Sequence, residues 1–558
     1  MRATQTRRGF MATTGGTALA LGSGWLPLPS ALADTSNPLF AACELLGRPT
    51  DRSVVVNMRT ATALEVYFEY GIASGNYTIS TPPVSYAAQT TLEVVLGGLQ
   101  PNTRYFYRTR YRAAGQPTFA AGPEYSFHTQ RAKGASFVVT VTADPHPNDG
   151  SDPAMYERTL GNAALGGPDF HFDLGDTFMG DKLPAPITSA SVEAATLNHR
   201  PWHEIVGRSA PVFLGLGNHE GEAGWVHDGT LNNLSAWALR ARKIHYPNPV
   251  PDAFYSGNSE PDALLGAKEN YYAFEWGDTL FTVLDPYWST LRKPSSSLNE
   301  WDWSLGLPQY LWLKHTLEQS RARYKIILTH HLVGGNPNIT LDKDKLIGRG
   351  GIEAAPYGEW GGKNLLSGTK DTWGWDTKRP AAAGWTKPVH QLLVDNNVRC
   401  VLHGHDHVYV KQELDGIIYL SLPQPANLNI SGTNSAVAGG YVAGTILPNS
   451  GHVRLSFSAA RLTVDYIRTY TPAQETATRV NGAVGHTFDI APIAVASGLQ
   501  ITRQPDRTVL TWNADPTVSY IVQWSTDMVT WHDVLAGRVS TWTDMSPALS
   551  KKFYRVTS

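Results

Sequence analysis

The sequence predicts a multi-domain chain with an N-terminal β-sandwich, a central four-layer α/β/β/α domain and a small C-terminal β-sandwich. Three observations carry this. In the stretch 50–130, Leu64, Val66, Phe68 and Tyr70 alternate with Glu65, Tyr67 and Glu69, which is the period of a half-buried strand. Farther along, the apolar runs 137–141, 170–174, 212–216, 326–328 and 398–402 read as buried strands, and the segments 307–317 and 389–394 between them place apolar residues at helical spacing. Past residue 490 the alternation returns at Tyr520, Val522 and Trp524, with turn signals at 513–516 and 526–527. A chain of 558 residues is too long for one core, so two to four domains are expected.

Taken in order, the chain opens with Arg7-Arg8, a short Gly- and Ala-rich apolar stretch and Ala31-Leu-Ala33. This pattern resembles a twin-arginine export signal over residues 1–33, with cleavage after Ala33 and an exported, periplasmic or extracellular, mature protein. The alternative is an ordinary secretory signal that happens to hold an arginine pair. No later segment has the apolar length of a transmembrane helix. Residues 45–130 form the first sandwich; there, the run from Leu99 through Pro101 and Thr103 to Tyr105 and Tyr107 resembles the tyrosine-corner segment of fibronectin type III domains. Residues 134–470 form the central domain, ending in a hairpin whose turn is Asp415-Gly416. Residues 495–558 form the last module. Its Trp512, Trp524, Trp531 and Trp542 are a candidate surface or carbohydrate-binding face, although in so small a domain tryptophans more often build the core.

Charge and cysteine content exclude more than they suggest. Lys plus Arg total 46 against 48 for Asp plus Glu, a formal net charge of -2, which supplies no cationic field for a dedicated nucleic-acid partner. Cys43 and Cys400 are the only cysteines, so a disulfide framework is excluded and two free thiols are expected.

The chemistry lies at the ends of the central runs. Each is followed at once by a polar motif: Asp144-Pro-His146, Gly175-Asp176, Gly217-Asn218-His219-Glu220, Thr329-His330-His331 and Gly404-His405-Asp406-His407. Loops beyond strand ends present side chains without disturbing the ladder, so these motifs are placed to meet in one cleft. Oxygen and imidazole donors converging from several strands are what a two-metal hydrolytic site requires.

These motifs, in this order, resemble the calcineurin-like metallophosphoesterase superfamily. The resemblance implies one ion held by Asp144, His146, Asp176 and His407, and a second by Asp176, Asn218, His330 and His405, with Asp176 bridging. It implies attack on a phosphate mono- or diester by a hydroxide between the ions, with His219 stabilising the transition state or protonating the leaving group. A sandwich ahead of such a domain resembles the purple acid phosphatases. Those enzymes carry a tyrosine ligand three residues after the bridging aspartate, where this chain has Met179, and His146 fills a histidine slot they lack; a colourless centre is therefore expected. N/O ligation does not select among Mn, Zn and Fe.

Lower in rank stand Asn218, His331 and Arg349 as substrate contacts, the last in the Gly- and Trp-rich insertion 335–388, a candidate lid whose bland reading is a packed surface excursion. His171, His390 and the segment Asp285-Pro-Tyr-Trp288 could shape the site, although isolated polar residues near apolar runs are more often satisfied structural groups, and His403 faces the opposite side of its strand and is left off the ligands. Glu220 is expected to orient backbone or His219, and Asp144 or another carboxylate to fix the His219 ring. The substrate implied is a small phosphorylated molecule. The competing function is a surface-binding protein with two sandwich modules and an inactive phosphoesterase domain.

Overall fold

Five of the apolar runs become strands of two sheets, and alternation decides which side chain faces where. In this computed structural model residues 37–146, 150–291, 304–332, 350–359, 383–494, 496–516, 518–545 and 552–557 are described. The segment 1–33 that the sequence reads as an export signal, Arg349, and most of the 335–388 insertion lie outside them.

Phe137–Thr142 pairs in parallel with Phe170–Asp173, and that strand with Val212–Leu214. Gly451–Phe457, Leu462–Arg468 and Val484–Ile490 extend the same sheet antiparallel on its other side, to six strands. The central sheet thus reaches Ile490, past residue 470. A second sheet of eight strands holds Thr279–Leu284, Tyr324–Thr329, Cys400–His403 and Ile417–Ser421 in parallel succession, with the hairpin partner Tyr409–Leu414 antiparallel beside them. At the hairpin turn Asp415 and Gly416 both take positive φ, 51° and 81°, as a two-residue turn of this twist demands.

Alternate residues face inward. Val139, Val141, Phe170 and Phe172 of the first sheet meet Phe274, Phe281, Ile326 and Leu402 of the second in one core. Truncating a residue such as Phe172 to Ala is worth about 3–5 kcal/mol by the usual cost of an aromatic cavity. The outer faces are covered by helices. Tyr156 and Leu160 of Pro153–Leu165 and Val206 of Ser189–Gly207 cover Val212 and Leu214, and Tyr310, Leu313 and Leu317 of Leu307–Gln319 with Leu392 and Leu393 of Val389–Asp395 cover Leu280, Ile327 and Val401. This is the α/β/β/α stack. Asp152 starts the first of these helices, its carboxylate accepting from Met155 N–H at 2.7 Å ahead of Pro153.

Ahead of it, a three-stranded sheet (Phe40–Gly47, Val54–Thr60, Thr91–Leu96) packs Leu46, Val54 and Val56 against Phe68, Tyr105 and Tyr107 of a second sheet. Tyr105 Oη accepts from Gln100 N–H at 3.0 Å, pinning the corner five residues upstream. At the other end two three-stranded sheets enclose Leu510, Trp512, Tyr520 and Val522. Trp512 is core and Trp542 packs on it, whereas Trp531 and Trp524 lie half-buried under Arg555 and Lys552, 4.0 and 4.4 Å from the ring centres. Both cysteines are buried and free. No helix among the described residues is long and apolar enough to cross a membrane.

Candidate metal centre

The first sheet delivers Asp144, His146, Asp176 and Asn218 just past its strand ends, and the second delivers His330, His405 and His407. The two sets meet beyond the carboxyl ends of these strands. Asp144 N–H donates to Gly175 O at 2.9 Å and Gly404 N–H to His330 O at 2.9 Å, so the loops are stitched to one another before any side chain is considered. Turning out of a strand this sharply needs left-handed backbone. Asp144, His146, Asp176, His405 and His407 have φ of 60°, 45°, 56°, 71° and 55°, a conformation that costs about 1–3 kcal/mol per non-glycine residue and persists where surrounding structure imposes it. Two glycines make the approach feasible: a Cβ on Gly217 would lie 2.2 Å from Asp176 N, and one on Gly404 would lie 2.6 Å from Asp144 Oδ2.

Asp144, His146, Asp176 and His407 bring one donor atom each within 4.8 Å of one another, and so do Asp176, His330 and His405; Asp176 belongs to both groups. His146 Nε2 lies 3.2 Å from Asp176 Oδ2, His407 Nε2 3.4 Å from Asp144 Oδ1 and His330 Nε2 3.4 Å from Asp176 Oδ2. Asn218 Oδ1 stands 2.8 Å from His405 Nδ1, which places it with the second group.

The donor set fits a pair of cations. His330 Nδ1 can only donate to the Leu174 carbonyl, 2.8 Å away, which leaves Nε2 turned to the site. That Nε2 and Asp144 Oδ1 are buried and make no hydrogen bond among the described residues. Burial alone would lower the His330 imidazole, yet the Asp176 and Asp144 carboxylates hold it up at about 10. Asp176 is disfavoured as an anion by burial and nevertheless held well below the usual carboxylate range, chiefly by His330 and His146. Such a field asks for positive charge between these groups.

Around the donors a polar shell fixes the loops. Asp176 Oδ1 accepts from His219 N–H at 2.9 Å and Asp144 Oδ2 from His405 N–H at 2.8 Å. Glu220 orients backbone: its carboxylate accepts from Gly217, Asp176, Thr177 and Phe178 N–H. The carboxylate on the His219 ring is Asp181, 2.8 Å from Nδ1, and not Asp144, whose oxygens are turned to the donors and to His405. His331 is buried with its ring stacked on His405, centroids 4.1 Å apart, so it steadies the plane of that ring. His171 bonds Thr140 and Thr142, His390 bonds Tyr419 and Asp415, and His403 lies against Gly404 O, all as structural groups.

A second buried cluster escaped the sequence reading. Asp173 accepts from Gly175 N–H and Thr177 Oγ1, and its other oxygen lies 2.7 Å from His203 Nε2, with Tyr246 Oη 3.1 Å from His203 Nδ1. It fastens the loop bearing Asp176 to the helix Ser189–Gly207. The two histidines of this group, His199 and His203, one helical turn apart, were the available signal.

Residues 137–409 match the family model described as calcineurin-like phosphoesterase, so the chain carries a metallophosphoesterase domain. Among solved structures it is similar to that of PhoD (15% identity, TM-score 0.54, covering 91% of this chain and 94% of that one). It is also similar to the purple acid phosphatase PPD1 from yellow lupin, Lupinus luteus, seeds (16% identity, TM-score 0.50, covering 80% of this chain and 74% of that one). At these identities the likeness is one of fold. No curated protein matches the chain.

Proposed function

We propose that the chain is an exported hydrolase of phosphate mono- or diesters working with two metal ions, Mn, Zn or Fe. The observation that carries this reading is the sharing of Asp176 between two donor groups, each assembled from the strand ends of both sheets. Asp144, His146 and His407 with Asp176 would hold one ion, and Asn218, His330 and His405 with Asp176 the other. When bound, such a pair supplies acidified water at neutral pH and neutralises phosphoryl charge.

The chain's own residues do the rest. Asp181 holds His219 Nδ1, which leaves Nε2 directed inward, 4.0 Å from Asp176 Oδ2, where it delivers a proton to the departing ester oxygen. Half-exposed Asn218 offers its amide to a phosphoryl oxygen. The segment 1–33 directs export, the domain 45–130 serves as a fibronectin-like structural module, and 495–558 is an accessory module. Met179 in place of a tyrosine makes the centre colourless.

The test is hydrolysis of p-nitrophenyl phosphate and its bis-ester by wild type and Asp176→Asn after reconstitution with single metals. Wild type hydrolyses at least one ester and the variant neither. Equal activity of the two proteins overturns the role of Asp176, and inactivity of wild type on every ester favours a binding protein.

A further inference from the structure

Tyr287 sits in a loop to which the proposed chemistry assigns no role. The loop follows Thr279–Leu284, and strand register places it level with the donors: Leu284 pairs with Thr329, and Thr329 with His403. Three neighbouring parallel strands therefore end side by side, one in Asp285-Pro-Tyr287, one in His330-His331 and one in Gly404-His405. The first loop is held rigidly. Asp285 Oδ1 accepts from Tyr287 N–H at 2.8 Å, Asn270 Nδ2 donates to its other oxygen, and Gln309 donates to Asp285 O at 2.7 Å. Tyr287 O accepts from Gly224 N–H at 3.1 Å and Thr290 N–H at 3.0 Å.

With its backbone fixed, the Tyr287 ring lies 6.0 Å from the His330 ring and 6.3 Å from the His331 ring. The residue is 2% exposed, and its hydroxyl has no hydrogen-bond partner among the described residues. After burial, the charges acting on this phenol most strongly are those of Asp176 and Asp144. A phenylalanine would pack equally well here, whereas a buried hydroxyl without a partner costs about 1–3 kcal/mol. A group that carries such a cost, on a ring standing beside two histidines of the site, is accounted for by a partner that arrives with the ligand.

We propose that Tyr287 Oη is a substrate-binding donor, giving a hydrogen bond to a phosphoryl oxygen of the ester bound at the centre. The proposal rests on the phosphoesterase reading above.

Tyr287→Phe tests it with three readouts on the full chain. In the manganese-loaded protein kcat/KM for p-nitrophenyl phosphate falls roughly 10- to 100-fold, at or below the usual loss for one transition-state donor. Calorimetric affinity for inorganic phosphate falls with it. Manganese content stays at the wild-type level, and the metal-free variant melts no lower than metal-free wild type. Wild-type turnover and phosphate affinity in the variant overturn the proposal, and so does loss of manganese, which would make the phenol a metal ligand. Should wild type hydrolyse no ester, the phosphoesterase reading fails alone: unequal phosphate affinities still support Tyr287, and equal or absent binding overturns it.

Discussion

The Nε2 atoms of His146 and His407, 261 residues apart in the chain, face each other at 3.1 Å. Two imidazole nitrogens at that separation repel unless a proton or a cation lies between them and the carboxylates behind. Asp176 Oδ2 stands 3.2 Å from His146 Nε2 and Asp144 Oδ1 3.4 Å from His407 Nε2, so the pair is built around positive charge.

His407→Ala should therefore keep the fold and lose the first ion alone. Metal content after dialysis falls from about two to about one per chain, as removal of one site of a two-metal centre requires. Mass spectrometry of the metals checks this, and retention of both ions contradicts the division of ligands.

Because Asp181 holds the His219 ring, the two should fail together and in a leaving-group-dependent way. His219→Ala lowers kcat on an alkyl phosphate by about 10²- to 10⁴-fold, the usual contribution of a general acid. Asp181→Asn reproduces part of that loss. On p-nitrophenyl phosphate, whose leaving group departs without a proton, both variants lose less. Equal losses on the two substrates would argue for charge stabilisation instead of proton delivery.

Glu220 is a structural carboxylate with four backbone donors, the nearest at 2.5 and 2.6 Å. Glu220→Gln turns an amide N–H₂ toward those donors. Stability of the metal-free protein drops by about 2–4 kcal/mol, the order expected for losing charge-assisted bonds and leaving buried N–H groups unmade. The urea midpoint reports it; an unchanged midpoint rules the role out.

Acid should loosen the central sheet through His171. Burial drives its pKa down from 6.5 to about 3, so the folded protein holds it neutral between Thr140 and Thr142 while the unfolded chain protonates it near 6.5. Unfolded chains then bind more protons over that window, so the contribution of His171 is intact above pH 6.5 and is lost as pH falls toward 3. With chelator present in both, His171→Gln unfolds in urea with a flatter decline of midpoint between pH 6.5 and 4 than wild type. Parallel declines would refute it.

Much of the architecture was legible in particular residues. Phe137, Phe170, Val212, Ile326 and Cys400 each lie in a strand that ends just before its motif. The helix over 307–317 and the Asp415-Gly416 turn also follow from local pattern. The strand Val484–Ile490 did not show itself, since it is an edge strand with most residues exposed or half-exposed and only Ile490 fully buried.

Sequence by itself determined which side chains stand at the strand ends, because buried strands need apolar runs and metal ligation needs Asp, Asn and His directly after them, both local demands. Tertiary structure alone decided that His219 leans on Asp181, that Glu220 gathers four amides, that Trp512 turns inward while Trp524 and Trp531 lie under cations, and that the Tyr287 ring stands beside those of His330 and His331. An aspartate, a tryptophan or a tyrosine carries no mark of its partner. What it faces is set by register and loop crossing between segments far apart in the chain.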